Sequence, residues 1–317
     1  MPEPPPQRVK FGYIINIILF VCTFFTTTIA GAAWLNRDPF NLSNFHYGLT
    51  YSILILFVLS SHEFGHYFAA KIHKVTVTLP YFIPFPFIFL NPFGTMGAVI
   101  KMRSPSRTRR ALFDIGIAGP VAGFIVSFFI LVYGMTHLPD IYYLYSIHPE
   151  YMATGIPTTG FSFGSTLLYK GLSLLLVHSP DVFLPPMNEM YHYPFLCVGW
   201  FGLLVTALNL LPVGQLDGGH IVYALFGDKH KVIARVFFSF TFSMGLLGLL
   251  PFFGINAFEN YSLFNWLVWS MLIFFVIKVD HPPIYDPEPL DLRRKLWGAF
   301  ALFMFVTSFT PVPFSNF

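Results

Sequence analysis

The pentapeptide HEFGH, residues 62–66, lies inside an apolar run at residues 47–72. A run of this length is typical of a helix that crosses a membrane, because a bilayer core needs about 20 apolar residues. Residues four apart share one face of a helix, so His62 and His66 point to the same side and Glu63 lies beside them. Ionisable side chains are costly inside a bilayer and as a rule mark a functional site. The pentapeptide therefore predicts a membrane helix that carries such a site.

The H-E-x-x-H spacing indicates the chemistry of that site. In zinc peptidases two histidines with this spacing bind the metal, and the glutamate between them is the general base. The alternative is a chance match, with both imidazoles hydrogen-bonded to neighbouring helices. The placement of the motif within a membrane segment favours the metal site.

The overall composition agrees with a membrane protein. Of the 317 residues, 55% are hydrophobic and only 10% are charged, whereas soluble proteins carry about 25% charged residues. The net charge of +3 gives no reason to expect a nucleic-acid partner. Cys22 and Cys197 both lie in apolar runs and form neither a metal-binding pair nor a disulfide framework.

Further apolar runs predict an all-α polytopic membrane protein with about seven transmembrane helices. The runs lie at residues 11–34, 47–71, 112–136, 194–226, 233–254, 261–279 and 296–313. The fourth run is broken at Leu211-Pro212, and the seventh is short and ends in a proline-rich tail.

One apolar stretch, at residues 79–100, does not read as a spanning helix. It contains four prolines, and proline disrupts a helix interior. Residues 75–78 and 94–98 read better as the two strands of a β-hairpin between the second and third spans. Because backbone groups cannot remain unpaired in lipid, this hairpin must dip into the membrane against protein or a wet cavity.

The distribution of Lys and Arg predicts the orientation. With seven spans, sixteen of the 18 basic residues fall on one set of alternate sides, and basic loops are cytoplasmic. We therefore expect a cytoplasmic N-terminus and an external C-terminus. We expect a single integral membrane peptidase domain over residues 1–317, with the active-site core at 47–226 and additional spans at 11–34 and 233–313.

The start of the chain bears on localisation. Residues 1–10 are proline-rich and basic, unlike an amphipathic transit peptide. This favours a multi-pass protein of a prokaryotic plasma (inner) membrane.

A second motif, NLLPVGQLDGGH at residues 209–220, belongs to the fourth span. Spans two and four run in the same direction in this topology. His66 precedes Lys71 by five residues, and Asp217 precedes Lys229 by twelve. Both motifs therefore lie in the inner half of the membrane. Two histidines and one aspartate make three protein ligands and leave a fourth position open, as catalytic zinc sites do.

Plainer interpretations exist for the polar residues of this motif. Asp217 could cap a helix that starts after the Pro212 break, and Asn209 could make a structural hydrogen bond between helices. His220 is better explained by packing or by support of a ligand than as a fourth ligand, since a catalytic site needs an opening. Asp114, near the start of span three, is expected to be a helix cap or a partner of the helix dipole.

The two motifs together resemble the site-2 protease family of intramembrane metalloproteases, in particular its bacterial and plastid-type members. The similarity extends to GTMGA at 94–98, ALFDIGIAGPVAG at 111–123 and GWFGLLVTALNLLP at 199–212, and it covers residues 45–313. Unlike some branches of that family, the sequence has no room for an inserted PDZ domain in the loop at 137–193, and we expect no CBS domains.

The resemblance implies a role for each motif residue. It implies His62, His66 and Asp217 as ligands of one zinc ion. It implies Glu63 as the base and Asn209 as a side chain that binds substrate or the transition state.

The resemblance also implies a substrate-presenting hairpin, here 75–100. Its strand edge could pair with an unwound substrate segment, and Gly94 and Gly97 would allow close backbone approach. The expected activity is a zinc-dependent endopeptidase that hydrolyses peptide bonds within or near transmembrane segments. Its expected partners are single-span membrane proteins and the lipid bilayer.

Two other functions are weighed against this one. A zinc peptidase with a downstream glutamate ligand is disfavoured, because every later glutamate falls in a predicted loop. A catalytically inactive scaffold or a metal-binding transporter is the alternative from another class, although no second copy of either motif suggests a transporter repeat. The remaining histidines are assigned no role: His46, His73, His137, His148, His178, His192, His230 and His281.

Overall fold

The computed structural model describes residues 12–104, 106, 108–179, 181–255, 263–284, 286 and 288–316. Among these, three helices are long and apolar enough to cross a membrane: α1 (Gly12–Trp34), α2 (Leu49–Ile72) and α3 (Arg109–Thr136). The prediction of a largely helical membrane protein is confirmed at this level. By length and composition only these three described helices qualify as spans, so the predicted number of about seven is not confirmed.

In the described part of the chain eight shorter α-helices follow; the first three lie in the predicted loop at residues 137–193, and the other predicted spans fall on the last five. The eight helices are α4 (Ile141–Ile147), α5 (Tyr151–Thr154), α6 (Leu167–Leu176), α7 (Pro194–Asn209), α8 (Asp217–Phe226), α9 (His230–Leu247), α10 (Phe264–Leu272) and α11 (Leu292–Ser308). A π-helical turn, Ile273–Ile277, extends α10.

The predicted break in the fourth run is present, since α7 ends at Asn209 and α8 begins at Asp217. Pro212 cannot donate a backbone hydrogen bond, and Gly214 has a positive φ of 55°. The carbonyl oxygen of Lys278 lies 1.8 Å from where a Cβ on Gly214 would be. The break therefore packs tightly against the end of α10.

Helix α3 lies at the centre and contacts α2, α7, α8 and α11. Its side toward α2 is built from small residues, which let the two backbones approach closely. A Cβ on Gly65 of α2 would stand 2.5 Å from the carbonyl oxygen of Ala118 in α3. Thr108 caps α3, its side chain accepting a hydrogen bond from the Ala111 N–H. The expected capping role of Asp114 is therefore wrong.

The hydrophobic core lies between α2, α3 and α7. Its largest fully buried side chains include Ile55, Leu131, Leu196, Trp200 and Leu203. Large apolar residues are exposed on the outward sides of the same helices: Ile53, Phe57 and Phe68 of α2 and Phe129 of α3. An apolar surface of this kind fits contact with lipid.

The hairpin consists of β1 (Tyr81–Pro84) and β2 (Thr95–Val99), which pair antiparallel. The prediction of a first strand at 75–78 is wrong: that segment contributes only a single bridge, between Val77 and Met102. The Asn16 side chain of α1 donates hydrogen bonds to the carbonyl oxygens of Leu79 and Pro80. These bonds hold the segment before β1 against α1, so the regular strand starts later.

A second small sheet was not predicted. Strand β3 (Phe161–Phe163) pairs antiparallel with β4 (Phe314–Asn316). The Trp200 indole N–H donates to the carbonyl oxygen of Gly164 beside it. The loop before α7 and the end of the chain are therefore joined to the core of the molecule.

Candidate metal centre

Helix α2 aims three polar side chains at one buried point. His62, Glu63 and His66 are 4%, 6% and 7% exposed. The Nε2 atoms of the two histidines lie 3.1 Å apart. The spacing of four residues thus produces the shared face that the motif predicts.

The first residue of α8 completes the cluster. Asp217 Oδ2 lies 3.3 Å from His62 Nε2 and 3.2 Å from His66 Nε2. Asp217 is not the cap of its helix, because Leu216 occupies that position. The capping alternative is therefore wrong, and the carboxylate is free to face the histidines.

The two glycines after Asp217 make this position possible. A Cβ on Gly218 would stand 2.1 Å from the carbonyl oxygen of Leu210, and one on Gly219 would stand 2.3 Å from that of Gly214. The start of α8 thus folds back directly onto the turn that follows α7. Only glycine permits an approach this close.

The geometry fits a tetrahedral metal ion. Two ligand atoms about 2.1 Å from a zinc ion, at the tetrahedral angle, lie about 3.4 Å apart. The three distances among His62 Nε2, His66 Nε2 and Asp217 Oδ2 are 3.1, 3.3 and 3.2 Å. Imidazole and carboxylate groups are common zinc ligands, and three of them leave one position open.

The hydrogen bond of His66 sets the tautomer that this arrangement needs. His66 Nδ1 lies 2.7 Å from the carbonyl oxygen of Ile115 in α3. A carbonyl oxygen only accepts, so the proton is on Nδ1 and the Nε2 lone pair faces the cluster. Such an outer hydrogen bond is usual for metal-binding histidines. His62 Nδ1 is buried and has no hydrogen-bond partner among the described residues.

Helix α3 forms the wall behind the two imidazoles. A Cβ on Gly119 would stand 2.1 Å from His66 Nε2, and one on Gly123 would stand 3.2 Å from His62 Nδ1. The sequence interpretation assigned no role to either glycine. The closely spaced glycines of GIAGPVAG, residues 116–123, indicate a close helix contact, but the sequence does not show which helix they face.

Asn209, the last residue of α7, lies beside the cluster, with Nδ2 3.4 Å from His62 Nε2. The last residue of that motif, His220, points elsewhere, because its Nδ1 contacts His281 Nε2 at 2.8 Å. Of the two interpretations of His220, the supporting or packing role fits this contact, and a fourth ligand does not.

The end of β2 reaches the same place. The backbone N–H of Ile100, the residue after β2, lies beside the Glu63 carboxyl group.

The two hairpin glycines differ in their surroundings. A Cβ on Gly94 would stand 2.5 Å from the carbonyl oxygen of Thr26 in α1, whereas no described atom lies within 4 Å of a Cβ placed on Gly97. Gly94 therefore serves the contact with α1, and Gly97 lies on open surface.

Comparison with known proteins identifies the family of the chain. Residues 50–251 match the family model of peptidase family M50, and this match spans both motifs. The chain belongs to peptidase family M50, the family of the site-2 proteases. The resemblance drawn from the motifs is thereby confirmed, and the chain is a member of a family of membrane metalloproteases.

Several plant members of this family are similar over most of the chain. The probable zinc metalloprotease EGY2, chloroplastic, of Oryza sativa subsp. indica is 28% identical over 93% of this chain and 49% of its own length. The probable zinc metalloprotease EGY1, chloroplastic, of Arabidopsis thaliana is 29% identical over 98% of this chain and 55% of its own. The M50 chain described here thus spans about half the length of these curated relatives. No solved structure gives a significant match.

Proposed function

We propose that this M50 chain is a zinc-dependent intramembrane endopeptidase, which hydrolyses peptide bonds within or near transmembrane segments of single-span membrane proteins. One observation carries the proposal: the three donor atoms of His62, His66 and Asp217 converge within 3.1–3.3 Å of one another beside Glu63. All of these side chains sit on the inward sides of apolar helices. The chemistry would therefore take place at membrane depth.

Three residues would hold the metal, namely His62, His66 and Asp217. Zinc bound there would supply Lewis-acid polarisation of a water or carbonyl oxygen. The Ile115 carbonyl keeps the His66 lone pair directed at the site, and Gly119 and the neighbouring glycines of α3 leave space for the imidazoles. The protein thus contributes a rigid, preformed set of donors.

Glu63 is the proposed general base. It follows His62 directly in α2, and its side chain is buried beside both imidazoles. As water attacks the scissile carbonyl carbon, Glu63 accepts a proton from that water. It then delivers the proton to the amide nitrogen as the peptide bond breaks. A positioned acid–base group of this kind contributes about 10²- to 10⁴-fold in rate.

Asn209 is the proposed polar contact for substrate. Its side-chain Nδ2 faces the cluster from the end of α7, and an amide N–H can donate to the oxygen on which negative charge develops. Oriented donors of this type stabilise transition states because their dipoles need not reorganise.

The hairpin is the proposed docking element for substrate. A peptide bond inside an intact helix is hydrogen-bonded and sterically covered, so the substrate has to unwind locally. An unwound segment can add to the edge of β2 by β-augmentation. The backbone of Ile100 beside Glu63 supports this proposal, since a strand paired with β2 would run toward the general base. Gly97 would leave room for its backbone.

We also propose seven membrane-crossing elements, with α7 and α8 together forming the fourth. The positions of the helix ends support this number. On one face, Trp34 at the end of α1 contacts His192 before α7. On the other face, Asp114 near the start of α3 contacts both His73 after α2 and Arg294 near the start of α11. Successive helix ends thus alternate between two faces.

The orientation and the membrane stay predictions. The face with His73 and Arg294 is the basic one, so we propose that it is cytoplasmic and that the C-terminus lies outside. The plasma membrane predicted from the sequence has not been tested, and the plant relatives are named chloroplastic.

The proposal can be tested in proteoliposomes. The purified chain would be reconstituted with a model single-span substrate, and the products would be mapped by mass spectrometry. We expect cuts within or near the span for the native chain and none for Asp217→Asn, which exchanges a carboxylate ligand for an amide. Cleavage by both proteins, or only in soluble loops, would contradict the proposal. Binding or transport without cleavage would favour the scaffold or transporter alternative.

A further inference from the structure

A second cluster of histidine and carboxylate side chains shares no residue with the HEFGH site and lies where α1 ends and α7 begins. His148, Glu189 and His192 each direct one donor atom at a common point, with all three atoms within 4.8 Å of one another. The two Nε2 atoms lie 3.0 Å apart, and Glu189 Oε2 lies 3.3 Å from His192 Nε2. These two spacings are like those of the cluster at Asp217, whereas the His148–Glu189 pair is wider and lies within 4.8 Å.

The outer partners of the histidines fix both tautomers. His192 Nδ1 lies 2.5 Å from the Trp34 carbonyl oxygen, and His148 Nδ1 lies 2.9 Å from Glu150 Oε1. Both partners only accept hydrogen bonds, so each Nδ1 carries the proton. In the neutral rings, both Nε2 lone pairs consequently face each other.

The carboxylate of Glu189 adds negative charge to the two lone pairs. Glu189 and His192 are each 2% exposed, so solvent does not screen them. The Tyr151 hydroxyl donates to Glu189 Oε1 at 3.1 Å, but Glu189 Oε2 has no hydrogen-bond partner within the described part of the chain. Leaving a buried carboxylate oxygen unpaired beside two lone pairs is costly.

A cation at the common point would remove this cost. One proton, placed on either Nε2, could serve only one of the two short contacts. A divalent ion would bind all three donor atoms at once. Each ligand is already oriented by an outer partner, Glu150, Trp34 or Tyr151, as is usual around metal sites.

We propose that His148, Glu189 and His192 bind a second divalent transition-metal ion of the zinc class. Two imidazoles and one carboxylate suit zinc better than calcium or magnesium, which prefer oxygen ligands. The proposal does not depend on the peptidase activity, because the two clusters share no residue.

The ion would have a structural role. Glu189 directly precedes the 3₁₀ turn Met190–His192 that leads into α7, and His192 ends that turn. His148 lies between α4 and α5. Through the Trp34 carbonyl, His192 also joins the end of α1. One ion would therefore hold together the loop between α3 and α7 and the ends of two helices.

The test is a zinc count on the purified full-length chain in detergent. The protein is stripped with a chelator, reloaded with zinc chloride, desalted and analysed by mass spectrometry for zinc per chain. We expect two ions in the native chain, one in His148→Ala and two in His178→Ala, which changes an exposed histidine outside the cluster. An unchanged count in His148→Ala would overturn the proposal.

The count for His66→Ala separates this proposal from the peptidase site. If both sites bind zinc, His66→Ala holds one ion and the double variant with His148→Ala holds none. If His148→Ala does not fold, X-ray absorption spectroscopy of zinc-loaded His66→Ala tests whether the second cluster binds zinc. It should show two imidazoles and one carboxylate at the remaining ion, and a protein without bound zinc would overturn the second site.

Discussion

Gly119 of α3 lies directly against the imidazole of His66, so close that a Cβ at the glycine would stand 2.1 Å from Nε2. Real Cβ atoms do not approach other heavy atoms at this distance. Because Gly119 has no side chain, the imidazole of His66, a proposed metal ligand, can occupy this space.

Replacing Gly119 by alanine should displace the His66 ring. Because His66 Nε2 is one of three converging donor atoms, we expect Gly119→Ala to lower both zinc affinity and cleavage, each by at least about tenfold, comparable to the loss of a supporting contact at a metal site. Zinc titration and the proteoliposome cleavage assay would measure the two effects.

Gly171→Ala is a matched control for this change. Gly171 also lies within a helix, α6, and no described atom stands within 4 Å of a Cβ placed there. We expect this variant to keep normal zinc binding and cleavage. Equal zinc affinity and equal cleavage in Gly119→Ala and Gly171→Ala would show that the close contact of Gly119 has no functional consequence.

The ion pairs at the basic face should differ in their contribution to stability. Arg294 donates to both carboxylate oxygens of Asp114, and His73 contacts the same carboxylate at 2.8 Å. The Asp114 side chain is half-buried, with 26% of it exposed. We expect Asp114→Asn to cost about 1–3 kcal/mol, since a charge-assisted bidentate contact is lost, and to lower the Tm in detergent.

A second ion pair on this face is the comparison. Arg235 donates to Asp280 at 2.8 Å, and these hydrogen bonds lower the pKa of the Asp280 carboxyl group. Both side chains are well exposed, and exposed pairs contribute little. We expect no measurable change of Tm for Arg235→Ala. A larger loss of Tm here than in Asp114→Asn would refute this ranking.

The edge of β2 offers a test of substrate docking. Met96, the second residue of β2, is 61% exposed, and a lysine on an edge strand discourages pairing with another strand. We expect Met96→Lys to lower kcat/KM for a single-span substrate severalfold, mainly through KM, while zinc content and Tm stay unchanged. Met96→Leu is the control and should behave like the native chain.

Equal kcat/KM values in Met96→Lys and Met96→Leu would argue against docking at this edge. A loss of zinc in Met96→Lys would instead indicate a damaged fold. The measurement therefore distinguishes substrate binding from structural support of Glu63 by the hairpin.

The local parts of this structure were predictable from the sequence. The HEFGH spacing sets the shared face of α2, whatever its neighbours are. The Pro212 break separates α7 from α8, because proline and glycine interrupt a helix through their own backbone properties. The membrane class followed from long apolar runs, although several predicted spans prove shorter than a full crossing.

The parts that depend on contacts between distant segments were not predictable. The first hairpin strand was misplaced because Asn16 of α1, more than sixty residues away, holds the Leu79 and Pro80 backbone. Asp114 was expected to be a helix cap or a partner of the helix dipole, because nothing in a single sequence pairs it with Arg294. His148 and His192 were assigned no role for the same reason, as they lie 44 residues apart and meet only in the folded chain.

The central claim is that Glu63 transfers the proton during catalysis but is not a ligand of the metal ion. Zinc content and intramembrane cleavage, measured together for the native chain and Glu63→Gln, test this most directly. We predict equal zinc content in both proteins and a loss of cleavage of about 10²-fold or more in the variant. Undiminished cleavage by Glu63→Gln would contradict the account.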